Sequence, residues 1–221
     1  MTGKTDVDDN AIEKKSGRWN DAVLTRDEQY RLKRQAVIRE AGRAFSKEGF
    51  HGTSLEDIAK TLNVTKAALY HYVKGKHEIL YECHKLAHDL GDEAVDQAKQ
   101  QGKTGLEKLT LFLTSYIETL TGEFGSCVVL TDVDSLRLED RRDIIARRDK
   151  FDRSFRMIIQ EGIDDGSIRH CDPKLADLLI MGAVNWIPKW YSPEGARTGR
   201  EIAEGFDAIL VHGLDASAKK K

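Results

Sequence analysis

The chain has 221 residues, 40% of them hydrophobic and 33% charged, with three prolines and a formal net charge of -2. That length can bury a sizeable core in one or two domains. No apolar run approaches the roughly 20 residues a membrane span needs, and the opening MTGKTDVDDNAIEKKSGRWNDAV lacks the apolar stretch of a secretion signal.

Residues 1–24 are polar and aperiodic, and are expected to form a flexible N-terminal arm. Its Lys14, Lys15 and Arg18 suit a minor groove, against which Asp6, Asp8 and Asp9 weigh. A first helix follows. Thr25 with Glu28 makes a capping box, Tyr30, Ala36, Val37, Ala41, Ala44 and Phe45 give an apolar stripe, and Gly49 suits the C-cap. A short second helix is capped by Thr53 with Glu56 or by Ser54 with Asp57, and turns Leu55, Ile58, Ala59 and Leu62 to one face. Asn63 tolerates a left-handed turn. Thr65 then caps a third helix, TKAALYHYV, which Gly75 breaks.

Two short helices joined by about three residues, the second opening on small polar side chains, read as a helix-turn-helix. Its second helix suits a major groove, and the N-terminus of its first suits a phosphate. Charge agrees. Residues 26–76 carry 11 Lys/Arg against 6 Asp/Glu, a net of +5, whereas residues 77–221 carry 20 against 26, a net of -6. A basic segment ahead of an acidic body points to an anionic partner for the former.

The stretch GFHGTSLEDIAKTLNVTKAALYHYVKGKHEIL, Gly49 to Leu80, resembles the DNA-binding domain of TetR-type transcriptional repressors. The resemblance implies an all-α fold, with an N-terminal three-helix helix-turn-helix domain and a larger helical domain for ligand binding and dimerisation. It implies a homodimer on double-stranded DNA at a palindromic operator, and no catalysis. By family position, Thr53 and Ser54 open the second helix near a phosphate, and Thr65, Lys66 and Ala67 lead the recognition helix. Tyr70, His71 and Tyr72 follow along the groove, and Lys76 grips a phosphate. The chemistry agrees: hydroxyls and helix-end amides hold phosphate, Lys66 can donate to guanine, and Ala67 can meet a thymine methyl. Tyr72 is equally a core residue by its spacing, and His71 is equally a bare surface residue. The boundaries this implies are an arm at 1–24, a DNA-binding domain at 25–75, a ligand-binding and dimerisation domain at 76–215 and a basic tail at 216–221.

In the body, a long helix is expected from Lys76 to about Gln101, and an amphipathic one along Leu106, Leu109, Phe112, Leu113, Tyr116, Ile117 and Leu120. Cys127–Leu130 reads as a short buried helix. A further helix lies between about Glu139 and Asp164. Asp172 and Pro173 start another, apolar nearly all round and running to about Trp190, with a kink at Pro188. Thr198 with Glu201 caps the last. The last two long helices are the natural dimer interface.

The effector pocket expected by resemblance draws on Phe112, Tyr116, Phe124, Phe151, Phe155, Asn185 and Trp186, each of which is also plain core material. The stretch NWIPKWYSPEG, Asn185 to Gly195, resembles the corresponding region of TetR-type regulators of fatty-acid, steroid and aromatic-acid degradation, several of which answer to acyl-CoA thioesters. Lys189 stands where many of those have arginine. The basic run from Arg141 to Arg156 suits CoA phosphates, or else is a solvated face paired with its own acids. The effector is thus expected to be a small hydrophobic metabolite such as a CoA thioester, with a drug-responsive efflux repressor as the alternative.

A metal-responsive regulator is a lesser alternative, on Cys83, His84 and His88. No phosphate-binding glycine loop, GxSxG or HExxH is present, so no enzyme, cofactor or resident metal is expected. Three scattered cysteines, Cys83, Cys127 and Cys171, with no CxxC pair point to a reducing, cytoplasmic setting.

Overall fold

The computed structural model describes residues 24–122, 125 and 132–211, and every regular element among them is helical. Residues 1–23 of the arm, the Cys127–Leu130 segment, Phe124 and the basic tail lie outside the described residues.

Helix α1 (Arg26–Gly52) begins at the expected box: Thr25 Oγ1 accepts from the Glu28 amide at 3.2 Å, and the Glu28 carboxylate accepts from the Thr25 amide at 2.7 Å. The helix breaks at Gly49, whose φ of 77° is cheap for glycine alone. Helix α2 (Leu55–Thr61) is capped by Ser54 with Asp57, not by Thr53 with Glu56. Asn63 turns the chain at φ 53°, and Thr65 caps α3 (Lys66–Leu69). This helix is shorter than its sequence suggests. The backbone continues through Tyr70–Tyr72 as turns before Gly75 starts α4 (Lys76–Gln101).

Two apolar cores follow from the helix stripes. One joins α1–α3 to the start of α4 through Val37, Ala41, Phe45, Ile58, Leu69 and Leu80. The other gathers α4, α5 (Gly105–Thr121), α6 (Leu138–Asp164), α7 (Pro173–Asn185), α8 (Ile187–Trp190) and α9 (Gly199–Phe206) around Phe112, Ile117, Phe155, Ile158 and Val184. Each such side chain contributes on the order of 1.5–3 kcal/mol by leaving water. Helices α5 and α6 approach closely at Gly105 and Gly162, where a Cβ on Gly105 would stand 2.1 Å from the Gly162 amide nitrogen.

The apolar helix expected to run to Trp190 ends instead at Asn185, and α8 restarts with Pro188 in its first turn. Proline has no amide to give the preceding turn and crowds its carbonyls, so the single helix becomes two. The helix is also not buried all round, since Leu175, Leu178 and Leu179 are 60–64% exposed.

Three struts tie the N-terminal head to the body. Helix α4 belongs to both cores. The 3-10 turn Val133–Ser135 before α6 meets the end of α1, where the Phe50 amide donates to Asp132 at 3.3 Å and Ser135 Oγ lies 3.1 Å from His51 Nε2. From α8, Lys189 Nζ donates to the Ser46 carbonyl of α1 at 2.8 Å. Among the described residues no helix is long and apolar enough to cross a membrane.

Candidate DNA-binding face and interior cavity

The head presents one exposed stretch around α3. Thr65, Lys66, Ala67, Tyr70 and His71 are all exposed, Tyr70 by 52%. Leu69 and Val73 anchor the stretch from below in the core. Lys66 Nζ pairs with the Glu56 carboxylate of α2; this contact lowers the pKa of Glu56 and raises that of Lys66. Tyr72 is half-buried, packed against the head core with its ring 5.2 Å from that of Tyr30. Its side chain therefore has a packing role.

Two residues expected to offer polar groups to phosphate are engaged inside the head. Thr53 is buried, and its hydroxyl donates to the Gly49 carbonyl at 2.9 Å. This corrects the expectation that its hydroxyl faces outward: the carbonyls left at the end of α1 need donors, and Thr53 is one. Lys76 is another. Its Nζ donates to the carbonyls of Phe50 at 2.6 Å and Thr53 at 2.8 Å, and stands 4.2 Å from the centre of the Phe50 ring. Ser54 is half-buried and exchanges hydrogen bonds with Asp57.

In the body, α4, α6 and α7, with Tyr116 of α5 and Val133 of the 3-10 turn, line a cavity of about 450 Å³. Tyr116, Phe151 and Asn185 line it. Phe112 and Phe155 do not; their rings pack against each other at a tilt, centres 4.7 Å apart, and Phe155 lies parallel to Phe151 at 6.1 Å. Trp186 is not among the lining residues and is 61% exposed. The break before α8 turns it to the outside, which corrects its assignment to the pocket.

The other polar lining residues, His84, His88, Arg148, Asp152 and Asp177, were not expected as pocket residues. Burial holds His88 below the ordinary histidine range, favouring its neutral form, and lifts the Asp152 carboxyl. Asp177 is pushed up to about 6, first by burial and then by Asp152, despite a 3.1 Å contact from Arg156 Nε. The signal for Asp177 was present in the sequence: one carboxylate inside LADLLIMG, where every neighbour is apolar or glycine. Cys83 packs in the head core, its Sγ 3.8 Å from the Ile38 carbonyl. Among the described residues no group of three or more His, Cys, Asp or Glu is disposed to hold a metal.

The basic run of α6 is largely paired. Arg141 meets Asp134, Arg147 meets Asp143 and Asp89, and Lys150 meets Asp92. Arg148 differs, as a residue on the cavity wall whose nearest acid, Asp149, stands 3.7 Å away.

Comparison with known proteins agrees with this geometry. Residues 37–83 match the bacterial regulatory proteins of the tetR family, and residues 102–214 match the tetracyclin repressor-like C-terminal domain. The HTH-type transcriptional repressor KstR2 of Mycolicibacterium smegmatis is 28% identical over 197 residues, covering 86% of this chain and 94% of its own. The crystal structure of PfmR, a TetR-family regulator from Thermus thermophilus, superposes with a TM-score of 0.70 at 30% identity, over 81% of this chain and 98% of that one. AibR, solved with isovaleryl coenzyme A and operator DNA, superposes with a TM-score of 0.69 at 28% identity, over 83% and 98%. With both halves matched in order, the chain belongs to the TetR family of bacterial transcriptional regulators and is a regulator rather than an enzyme.

Proposed function

We propose that this protein is a homodimeric, cytoplasmic repressor that leaves a palindromic operator when a hydrophobic effector, of the acyl-CoA class, enters the α4–α6–α7 cavity. The observation that carries this reading is the course of α4. At its start Lys76 holds the end of α1, and Glu78 and Glu82 hold Arg34 of α1 at 3.0 and 2.9 Å. Farther along the same helix, His84, Ala87, His88 and Gly91 line the cavity. A ligand that shifts α4 therefore shifts the head, and it lowers operator affinity by as much as it prefers the shifted state.

Thr65, Lys66, Ala67, Tyr70 and His71 are the groove-facing set in this reading, with Ser54 and Lys76 beside the phosphates. The exposed leucines of α7, with Trp186 and Ile209, are the dimer face, since apolar patches of this kind mark interfaces. A dimer places two recognition elements on successive turns of one DNA face. The cavity falls within the usual size of ligand sites. It suits the acyl part, with the CoA part outside beside Arg148. The AibR complex with isovaleryl coenzyme A supports the ligand class.

The test is a gel shift on DNA flanking the protein's own gene, titrated with acyl-CoAs, free acids and cationic drugs. Release by one group of CoA thioesters, and not by the free acids, is expected. Release by cationic drugs alone would replace this reading with a drug-responsive efflux repressor. The carboxylates Asp152 and Asp177 beside Tyr116 and Phe151 suit such a ligand.

A further inference from the structure

The cavity wall formed by α7 is incomplete in its hydrogen bonding. Asn185 lines the cavity, and its Oδ1 is buried with no hydrogen-bond partner. Such atoms are rare because an unmet buried acceptor is costly, so one in a cavity-lining residue gains a partner when the amide turns toward a donor in the cavity. A second polar group stands on the same helix. Asp177 is 4% exposed and lines the cavity, with Oδ2 held by Arg156 Nε at 3.1 Å. Arg156 is shared with Asp152, 3.8 Å from its Nη2. Two carboxylates therefore share one guanidinium.

Asp177 and Asn185 are eight residues apart on α7, a rise of about 12 Å. Met181 lies between them and also lines the cavity, facing the apolar side made by Ala87, Tyr116 and Phe151. The wall thus reads polar, apolar, polar along its length.

We propose that Asp177 and Asn185 are the two polar anchors of this cavity, and that its effector is an elongated apolar molecule bearing hydroxyl groups about two helical turns apart. The inference rests on the reading of this cavity as the effector site. A hydroxyl both donates and accepts, so it satisfies Asn185 in either orientation of the amide. Toward Asp177 it donates to a cavity-lining carboxylate that shares its one arginine with Asp152. A neutral donor suits this end better than an ammonium group, because Arg156 already stands there. A plain alkyl chain fills the middle and leaves both anchors unmet.

The test is calorimetric titration of the full-length protein with 1,10-decanediol and with 1-decanol, which differ only in the second hydroxyl. The diol binds the wild type at least about ten-fold more tightly, since a site built for a hydroxyl discriminates against its absence. Asn185→Leu brings the two ligands to within about two-fold. It also raises the melting temperature of the unliganded protein, because it removes an unmet acceptor. Asp177→Leu has the same effect on preference. If that variant folds poorly, Asn185→Leu decides alone, as it leaves the Arg156–Asp177 contact in place.

Equal binding of the two alcohols by the wild type, or no binding of either, overturns the inference. So does an Asn185→Leu protein that keeps its preference or melts earlier. The gel shift is read separately. A diol preference with no release by any CoA thioester leaves the anchors standing and overturns the acyl-CoA reading. Release by decanoyl-CoA without a diol preference does the reverse.

Discussion

The head and the body of this regulator are built from the same kind of helix and finished to different degrees. In the head, several polar groups find partners within the fold: Lys76 on two carbonyls, Arg34 on two glutamates, Ser54 on Asp57, Lys66 on Glu56. In the body, a cavity holds an unmet Asn185 oxygen and an aspartate whose ionisation burial opposes, and α7 leaves a row of leucines in water. The contrast suits the task proposed for each region. A surface that reads DNA must be rigid before it meets its partner, because ordering it on contact would subtract from affinity. In the proposed function the body switches, and such a region must be incomplete, so that a ligand and a second subunit have differential contacts to make.

The largest effect is expected where the body is most incomplete. Replacing both Leu175 and Leu179 by glutamate places charge on the exposed apolar face. Light scattering should then report a monomer, and operator affinity should fall at least about 100-fold, the scale of losing one of two linked half-sites. A dimer that persists would move the interface elsewhere.

The head is sharpened by Lys76→Met. Loss of two charge-assisted bonds to buried-end carbonyls should lower its stability by about 2–3 kcal/mol in urea unfolding. The slope of log affinity against log salt should also fall by about one if the remaining donor reaches a phosphate. Lower stability with an unchanged slope would confine Lys76 to anchoring α1.

A smaller effect separates the regions by pH. The Asp177 carboxyl is raised in the folded state to about 6, above its ordinary value near 3.8. The native state therefore holds a proton that the unfolded chain has released between those values, and this group's contribution to stability falls as pH rises through that window. At pH 7, Asp177→Asn should be more stable than wild type by about 1–2 kcal/mol, and the gap should close below about pH 4. A gap independent of pH would assign the difference to packing.

The smallest effect belongs to the exposed pair on the head. Glu56→Gln releases Lys66 and removes a negative charge from the DNA side. Operator affinity should rise by about two- to three-fold at low salt and converge with wild type as salt screens it. A loss of affinity would mean that Glu56 aims Lys66 rather than restraining it.

Much of this could be read from the residues in order. The Thr25–Glu28 and Thr198–Glu201 boxes, the Asp172–Pro173 start, the Asn63 turn and the extents of α4 and α5 are local features, set by groups within about one helical turn of each other. The resemblance around α2 and α3 is equally local, so the exposed Thr65, Lys66, Ala67, Tyr70 and His71 were legible before any coordinate. What local pattern does not carry is which side of a helix meets which neighbour. Thr53 and Lys76 turn inward because the end of α1 arrives beside them with carbonyls to satisfy. Phe112 and Phe155 pack against each other outside the cavity lining while Trp186 turns out of it, because helix crossings and the break at Pro188 set those directions. Asp152 and Asp177 lie on separate helices, and nothing in their spacing announces a shared arginine. The cavity is a property of several helices meeting, so only their packing could place its polar groups together.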